Sequence, residues 1–202
     1  MTLRTEALTG GYIDPVHDAQ STFRMLMDGM ARPGTTKTIV PPVEPPAPLG
    51  SAAGAIALAL CDNDTPVWLS ASMAKSPIAE WIGFHTGAPV TREKSEARFA
   101  FFGAGSPVTS FGLFALGSQE YPDRSTTVII EVAGLERGPR LTLTGPGIRE
   151  SVEIAPVGLP DMFLRQWADN RALFPRGIDV VLTAGRQVLC LPRTCNISIG
   201  EI

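Results

Sequence analysis

The order of the apolar segments constrains the fold of this chain more than any other feature of its sequence. Predicted helices span residues 14–32, 51–60, 76–87 and 160–173, and predicted strands span residues 65–69, 98–102, 126–132, 140–143, 151–154, 178–183, 187–191 and 196–199. Strands that alternate with helices build parallel sheets covered on both faces, and hairpins late in the chain add antiparallel strands. The sequence therefore predicts an α/β fold, a three-layer α/β/α sandwich with a mixed central sheet.

The first helix, over residues 14–32, has the most clearly marked ends. Asp14 is a suitable N-cap before Pro15 at the first helical position, and Arg32-Pro33-Gly34 is a stop signal. Apolar side chains recur in steps of three and four residues, with polar side chains on the opposite side. The apolar positions are Val16, Ala19, Phe23, Leu26, Met27 and Met30.

A proline-rich stretch over residues 41–50 separates the first two helices. Its five prolines remove backbone donors and fix φ, which predicts an extended surface connection. The chain before Pro41 is too short to form a separate domain, so we predict a single domain over residues 1–202. Farther along, the apolar patch at residues 111–116 predicts a short helix, and Gly145-Pro146-Gly147 predicts a hairpin turn.

Charge and hydropathy argue against several classes of partner. Seventeen basic and twenty acidic residues give a net charge of -3, so we expect no nucleic acid partner. The sequence shows no secretion signal at its start and no apolar window of about 20 residues, so we expect a cytoplasmic protein without a membrane anchor. Cys61, Cys190 and Cys195 are not spaced like zinc ligands and are interpreted as reduced core residues.

Two short motifs indicate chemistry only weakly. Residues 72–75 fit S-x-x-K, a pattern of serine acyl enzymes and of some Schiff-base lysine sites, but a helix-entry loop is the simpler interpretation. Residues 62–64, Asp-Asn-Asp, could hold Mg²⁺ beside a polyphosphate, although a turn of these side chains explains them as well. His17 and His85 lie far apart, and we predict neither a metal site nor a catalytic residue.

Arginines next to prolines are more suggestive of a binding site. Arg32, Arg124, Arg176 and Arg193 all lie in proline-containing loops, where a planar guanidinium suits bidentate contact with phosphate or carboxylate. Internal or interfacial ion pairs are the alternative. Asn170 falls on the same helix side as two large aromatic residues, so it either bonds a loop backbone or lines a pocket.

Several blocks of the sequence, in order and at consistent spacing, resemble the PhnH family over about residues 12–197. They are Phe23-Arg24 through Met30-Ala31-Arg32-Pro33-Gly34, Leu60-Cys61-Asp62, Pro66-Val67-Trp68-Leu69, Phe84-His85-Thr86-Gly87, Tyr121-Pro122-Asp123-Arg124-Ser125, Gly145-Pro146-Gly147-Ile148, Asn170 with Phe174-Pro175-Arg176-Gly177-Ile178-Asp179, and Leu191-Pro192-Arg193-Thr194. Two positions depart from the family pattern, Arg98 where an acidic residue is expected and Cys195 where a threonine is expected.

The resemblance implies a fold similar to the large domain of pyridoxal-phosphate-dependent transferases, without that cofactor, so that the S-x-x-K match is a coincidence. It implies a homodimer that joins PhnG, PhnI and PhnJ in the carbon-phosphorus lyase core complex. In that complex, an alkylphosphonate displaces the base of ATP to give a ribose 1-phosphonate 5-triphosphate. Members of the family are required for this step without holding the main active site.

We therefore expect a non-catalytic or accessory subunit with no cofactor of its own. The ligand-binding candidates are Arg32, His85, Arg124, Asn170, Arg176, Asp179 and Arg193. A phosphate- or nucleotide-binding module that uses the arginine loops is one alternative. A stand-alone pyridoxal-phosphate enzyme that uses Lys75 is another.

Overall fold

A seven-stranded mixed sheet forms the centre of the protein, in a computed structural model that describes residues 5–200. The strands are β1 (Thr36–Thr38), β2 (Val67–Leu69), β3 (Val90–Thr91), β4 (Phe99–Phe102), β5 (Thr127–Glu131), β6 (Leu141–Thr144), β7 (Val152–Ile154), β8 (Asp179–Ala184), β9 (Gln187–Leu191) and β10 (Asn196–Ile199). The central sheet has the order β1-β9-β8-β5-β4-β2-β3, and β9 runs antiparallel to both of its neighbours while the other pairs are parallel. Strands β10, β6 and β7 form a separate antiparallel sheet.

Helices and the small sheet cover the two faces of the central sheet. The helices are α1 (Pro15–Ala31), α2 (Ser51–Leu60), α3 (Ala71–Ala74), α4 (Ile78–Thr86) and α5 (Phe163–Arg171). Buried side chains from α1 to α4 share one core with one face of the sheet. Those from α5 and from the small sheet share a second core with the other face. The predicted α/β sandwich with a mixed central sheet is confirmed.

Alternation along the buried strands explains how one sheet serves two cores. Phe101, Ile129 and Val181 lie side by side on neighbouring strands and pack in the first core. Their chain neighbours Phe102, Ile130 and Leu182 pack in the second core. Both faces of these strands are therefore apolar, as expected for parallel strands that are covered on both sides.

Helix α1 has the predicted ends but buries only part of the predicted apolar stripe. The Asp14 carboxylate accepts the His17 backbone N–H at 3.3 Å, and the N–H of Arg32 closes the last turn on Asp28. The buried residues of α1 are Thr22, Leu26 and Gly29, whereas Val16, Phe23 and Met27 are exposed. The predicted apolar stripe is therefore only partly packed: Leu26 is buried and Met30 packs against the first core, while the other large members of the stripe are exposed.

The close approach of α1 to the sheet explains why small residues of the helix face the core. A Cβ on Gly29 would lie 2.9 Å from the Cys190 sulfur, so only glycine fits between helix and strand there. The Thr22 side chain is covered because the Tyr12 hydroxyl lies 2.7 Å from it. Small residues let the helix pack closely at these positions, and Val16, Phe23 and Met27 are left on the outer side.

Most of the other predicted elements are confirmed, some with the predicted bounds and others with shorter or shifted ones. The patch at residues 111–116 forms a short 3₁₀ helix at Phe111–Leu113, and residues 41–50 form an irregular connection that buries Val43 and Leu49. Strands β1 and β3 and the helix α3 were not predicted. The separate second sheet was not expected either. The likeness to pyridoxal-phosphate-dependent transferases and the single-domain interpretation stay predictions.

Candidate functional site

Because its central strands are parallel, the sheet has one edge where these strands begin and an opposite edge where they end. The amino edge is where β4, β5 and β8 begin, and β9 ends there because it runs the opposite way. The carboxyl edge is where β2, β4, β5 and β8 end. Loops at both edges enclose cavities, so the sheet provides two places where a ligand could be held.

At the amino edge, three of the proline-arginine loops meet. They surround an open cavity of about 310 Å³, lined by Pro122, Asp123, Phe174, Pro175, Asp179, Pro192, Arg193 and Thr194. The structure thus brings together the candidates Asp179 and Arg193 from β8 and from the segment after β9. The prediction from sequence could not decide whether these loops converge.

Arg193 is the centre of this arrangement, and its side chain forms hydrogen bonds with neighbouring residues of the same chain. Its guanidinium contacts both carboxylate oxygens of Asp179, at 3.1 Å and 2.5 Å, and donates to the Pro122 carbonyl at 2.8 Å and to the Ser125 hydroxyl at 2.6 Å. The Arg193 backbone N–H also donates to Asp179 at 2.7 Å. Only 12% of the Arg193 side chain is exposed. This arginine ties the loop before β5 to the start of β8.

The other two arginines of these loops, Arg124 and Arg176, are not among the residues that line this cavity. The Arg124 guanidinium lies 4.2 Å from the centre of the exposed Tyr121 ring, and the Arg124 carbonyl accepts a 2.8 Å bond from Arg98. The Arg176 Nε is buried and has no hydrogen-bond partner among residues 5–200. Arg176 therefore keeps a buried donor that the described fold does not use.

Asn170 has the loop-binding role that was one of its two interpretations. Its amide accepts the Ile178 N–H at 2.8 Å and donates to the Ile178 carbonyl at 3.0 Å. This pairing imitates a strand and holds the segment around Gly177, whose φ of +127° suits glycine. Asn170 also lines a cavity of about 210 Å³ beneath the 3₁₀ helix, so both interpretations describe part of its position.

The remaining candidates, Arg32 and His85, lie on other elements and do not line the amino-edge cavity. Arg32 follows α1 and pairs with Asp28, which also contacts Lys37 at 2.5 Å. His85 lies in α4 beside Gly11, and its Nε2 is buried with no partner in the described part of the chain. Burial lowers the pKa of His85, while a backbone hydrogen bond to Thr9 opposes this shift.

The carboxyl edge contains a larger cavity, of about 490 Å³. The loop after β4, the end of β5 and the loop before α5 form its walls, and the lining residues are Gly103, Gly105, Ser106, Pro107, Val108, Thr109, Ile130, Glu131, Gly158, Leu159, Pro160, Asp161 and Met162. In open α/β sheets, ligands commonly bind beyond the carboxyl ends of the strands. This location was not among the sequence-derived candidates.

Glu131 is the most unusual polar group at this edge. It ends β5, and its Oε1 accepts the backbone N–H of Gly50, the residue that precedes α2. Burial raises the pKa of the Glu131 carboxyl, and the hydrogen bond from Gly50 only partly offsets this effect. A Cβ on Gly50 would collide with the carboxylate, so glycine is required for this contact.

Three serine hydroxyls lie beside the same cavity. Ser70 follows β2 and is buried, and its Oγ lies 3.4 Å from the hydroxyls of both Ser72 and Ser106. The Gly103 N–H donates to Ser70 at 3.2 Å. Ser106 belongs both to this cluster and to the cavity lining. The cluster fixes the loop after β4 at the cavity mouth.

The weak motifs have ordinary structural roles in the described residues. Lys75 is exposed at the end of the four-residue helix α3. Asp62 forms a turn by accepting the Asp64 N–H at 2.9 Å. No cluster of three or more His, Cys, Asp and Glu side chains within residues 5–200 is arranged to hold a metal ion. No helix in that range has the length and apolarity needed to span a bilayer.

The three cysteines are buried and free, as interpreted from the sequence. Burial raises the pKa of the Cys190 thiol to about 12 and that of the Cys195 thiol to about 11. Burial also raises the pKa of the Cys61 thiol. At neutral pH these groups are therefore thiols, which act as small apolar side chains in the core.

Comparison with known proteins decides the family. The model of a family described as bacterial phosphonate metabolism protein (PhnH) matches residues 10–198. The chain belongs to the PhnH family. The chain is 58% identical over 197 residues to the alpha-D-ribose 1-methylphosphonate 5-triphosphate synthase subunit PhnH of Rhizobium meliloti (strain 1021), with 98% of each chain covered. It is also 38% identical over 84 residues to the putative C-P lyase subunit protein HtxG of Stutzerimonas stutzeri, covering 42% of this chain and 43% of that protein.

The PhnH resemblance noted from the sequence is thus confirmed, and both edges of the sheet lie inside the matched range. Sequence reasoning missed Glu131, Ser70 and Ser106 as polar groups of one site. Their positions carried a usable signal, since Ser70 and Glu131 lie at or just after the ends of predicted strands. In a parallel sheet such ends meet at one edge.

Proposed function

We propose that this protein is an accessory subunit of an alpha-D-ribose 1-methylphosphonate 5-triphosphate synthase within a carbon-phosphorus lyase complex. The single observation that carries the proposal is the 58% identity, over 98% of both chains, to the subunit of that name. The second relative, a putative C-P lyase subunit, supports a role in an assembly. In this role the chain is required for transfer of the ribose triphosphate group of ATP to an alkylphosphonate, in the cytoplasm.

An exposed apolar stripe on α1 supports a role in assembly. Val16, Phe23 and Met27 follow one side of the helix, and 66% of Val16 and 54% of Met27 are exposed. The neighbouring Ile13 and Val40 are also exposed, with Ser21 of α1 3.4 Å from the Val40 carbonyl. Contiguous exposed apolar surface marks interaction sites. We propose that this α1 stripe, residues 13, 16, 23, 27 and 40, contacts another subunit of the complex.

The proposed partners are PhnG, PhnI and PhnJ, together with a second copy of this chain in a homodimer. The test is coexpression of all four proteins with an affinity tag on one of the others, followed by purification and a synthase assay with ATP and methylphosphonate. We expect this chain to copurify and its omission to abolish product. A chain that forms the product alone, or never copurifies, would contradict the proposal.

The α1 stripe can be tested in the same experiment. Phe23→Glu places a charge in the stripe, while Ile199→Glu places one at an exposed apolar position on β10, in the small sheet. We expect only Phe23→Glu to reduce copurification, with both variants folded. If Phe23→Glu converts a homodimer to a monomer but still copurifies, the stripe contacts the second copy instead.

The convergence of the arginine loops favours a second candidate function, binding of a phosphate-bearing ligand at the amino edge. The unused Nε of Arg176 and the neighbouring cavity support it. Calorimetry with ATP and with methylphosphonate, repeated on Arg176→Ala, tests this proposal. Affinity that falls in the variant would support it, and equal binding by both proteins would refute it.

A further inference from the structure

The carboxyl-edge cavity has the size and position of a small-molecule site. Its volume of about 490 Å³ lies within the range of ligand pockets, roughly 300–1,000 Å³. It opens beyond the ends of β4 and β5, where open α/β sheets commonly bind ligands. The proposed role in assembly does not use this cavity, so its contents are a separate question.

The charge of the lining argues against an anionic ligand. Glu131 and Asp161 both line the cavity, and the described lining residues include no Lys, Arg or His. A phosphate placed here would lie beside two carboxyl groups without a compensating cation. The ligand that this lining favours carries no negative charge.

The hydrogen-bonding capacity of Glu131 defines what the ligand must offer. One carboxylate oxygen accepts the Gly50 N–H, and the other has no hydrogen-bond partner among residues 5–200. An ionised carboxylate only accepts hydrogen bonds, so a partner in the cavity must supply an O–H or N–H donor. Ser106 and Thr109 line the same cavity. The Thr109 hydroxyl can donate or accept, whereas the Ser106 hydroxyl donates to Ser70 and can still accept.

Apolar side chains form the remaining walls. Ile130, Leu159 and Met162 line the cavity, together with the rings of Pro107 and Pro160. Apolar walls combined with a few placed polar groups are typical of sites for ring-containing small molecules. A ligand that matches both features has a flat ring and several donors.

The walls are held in place before any ligand arrives. The buried Gln166 of α5 donates to the Val108 carbonyl at 2.6 Å and accepts the Phe111 N–H at 3.1 Å, which fixes the loop after β4. Val157, next to the loop before α5, pairs with the backbone of Ala133 and Gly134 at 2.9 Å and 2.8 Å. Fixed walls reduce the entropic cost of ordering loops on binding.

We propose that this cavity binds an uncharged, ring-containing ligand of nucleoside size, which donates a hydrogen bond from a hydroxyl or amino group to Glu131. A nucleoside satisfies each requirement, since it combines a flat base with hydroxyl donors and has no phosphate. The corresponding nucleotide binds more weakly, because its phosphate would enter a lining that contains two carboxyl groups.

Calorimetry on the purified chain alone tests this proposal with adenosine and AMP as probes. We expect saturable binding of adenosine and binding of AMP that is at least about tenfold weaker. Glu131→Gln should weaken adenosine binding by about tenfold or more, because its amide can keep the Gly50 bond only by turning its NH₂ group toward the ligand. The matched control is Glu120→Gln, an exposed carboxylate outside the cavity, which should bind as wild type.

A second variant keeps the proposal testable if Glu131→Gln fails to fold. Thr109 is exposed, lines the cavity, and takes part in no side-chain hydrogen bond within the described chain, so Thr109→Trp fills the site without breaking a buried contact. We expect this variant to lose adenosine binding. The proposal is overturned if wild type does not bind adenosine, if AMP binds equally well, or if Thr109→Trp binds adenosine as wild type does. Because the chain is tested alone, failure here leaves the assembly test unaffected.

Discussion

The amino and carboxyl edges of the central sheet use their polar side chains in different ways. At the amino edge, the Arg193 guanidinium is bonded to Asp179, Pro122 and Ser125, and the Asn170 amide is bonded at both ends to Ile178. At the carboxyl edge, Glu131 lines a cavity, and only one of its carboxylate oxygens has a hydrogen-bond partner in the described residues. The arginine that lines the amino-edge cavity is thus already bonded within the fold.

This difference teaches that residue type does not by itself locate a binding site. Arginines in rigid loops suit phosphate, but the same geometry suits internal carboxylates and carbonyls. A polar group is available to a ligand only when the fold leaves it both accessible and unsatisfied. The following predictions test whether the amino edge is structural and the carboxyl edge is open.

Removal of the Arg193 side chain should have the largest effect. Arg193→Ala leaves Asp179, only 22% exposed, without its cation, and breaking such a pair costs about 3–5 kcal/mol. Urea unfolding should show this loss in the free energy of unfolding, and Arg193→Lys should restore only part of it, because lysine lacks the planar fork. Arg165→Ala, at an exposed position on α5, is the control. If Arg193→Ala lowers the free energy of unfolding by less than about 1 kcal/mol, the contacts of Arg193 contribute little to stability and its guanidinium is available to a ligand.

Asn170→Ala should have the next largest effect. It leaves the Ile178 N–H and carbonyl buried without partners, at a cost of about 2–4 kcal/mol for the two groups. Thermal unfolding should show a lower melting temperature than for Asp169→Ala, its exposed neighbour on α5. Equal melting temperatures for the two variants would show that Asn170 does not hold the amino edge together.

Gln166→Leu should destabilise the protein less, by about 1–3 kcal/mol. The variant removes the partners of the Val108 carbonyl and the Phe111 N–H, but Val108 borders the carboxyl-edge cavity, where water can replace one bond. Proteolysis should then cleave the loop at residues 103–109 faster than in wild type. An unchanged cleavage rate would indicate that this wall does not depend on Gln166.

The smallest effect is a pH dependence that Glu131 contributes. Its pKa in the folded protein is raised by burial, so the folded state holds the proton more tightly than the unfolded state does. The stability contributed by the protonated group is present below the ordinary glutamate pKa and is lost as pH rises through the raised value. Glu131→Gln should remove this loss and be more stable than wild type near neutral pH.

Unfolding free energies measured between about pH 4 and 8 check the difference, with Glu120→Gln expected to follow wild type. Parallel curves for Glu131→Gln and wild type would contradict a shifted carboxyl.

Local sequence signals were sufficient for most elements of the fold. The cap at Asp14, the stop at Gly87 in its left-handed conformation and the paired strands around residues 145–147 each depend on neighbours in the chain. The exposure of much of the predicted α1 stripe was not predictable in this way. It depends on Cys190, which lies on a strand far along the sequence and admits only glycine opposite it.

The candidate site shows the same division. Sequence reasoning selected Arg193 and Asp179, which do meet, but it could not tell that they neutralise each other. It did not select Glu131, because a glutamate at the end of an apolar strand is an ordinary pattern. What makes this residue unusual is its contact with Gly50, 81 residues away in the chain.

The sequence by itself determined the family, through blocks of residues that resemble it. It also determined most of the order of helices and strands and the apolar character of both faces of the sheet, because periodicity and stop signals act over a few residues. Only the tertiary structure decided that the strands divide into two sheets and which polar groups remain unsatisfied. Those outcomes depend on contacts such as Arg193 with Pro122 and Gln166 with Val108, which join residues 71 and 58 positions apart. Hydrogen bonds of this kind exist only after the sheet has brought distant loops to the same edge.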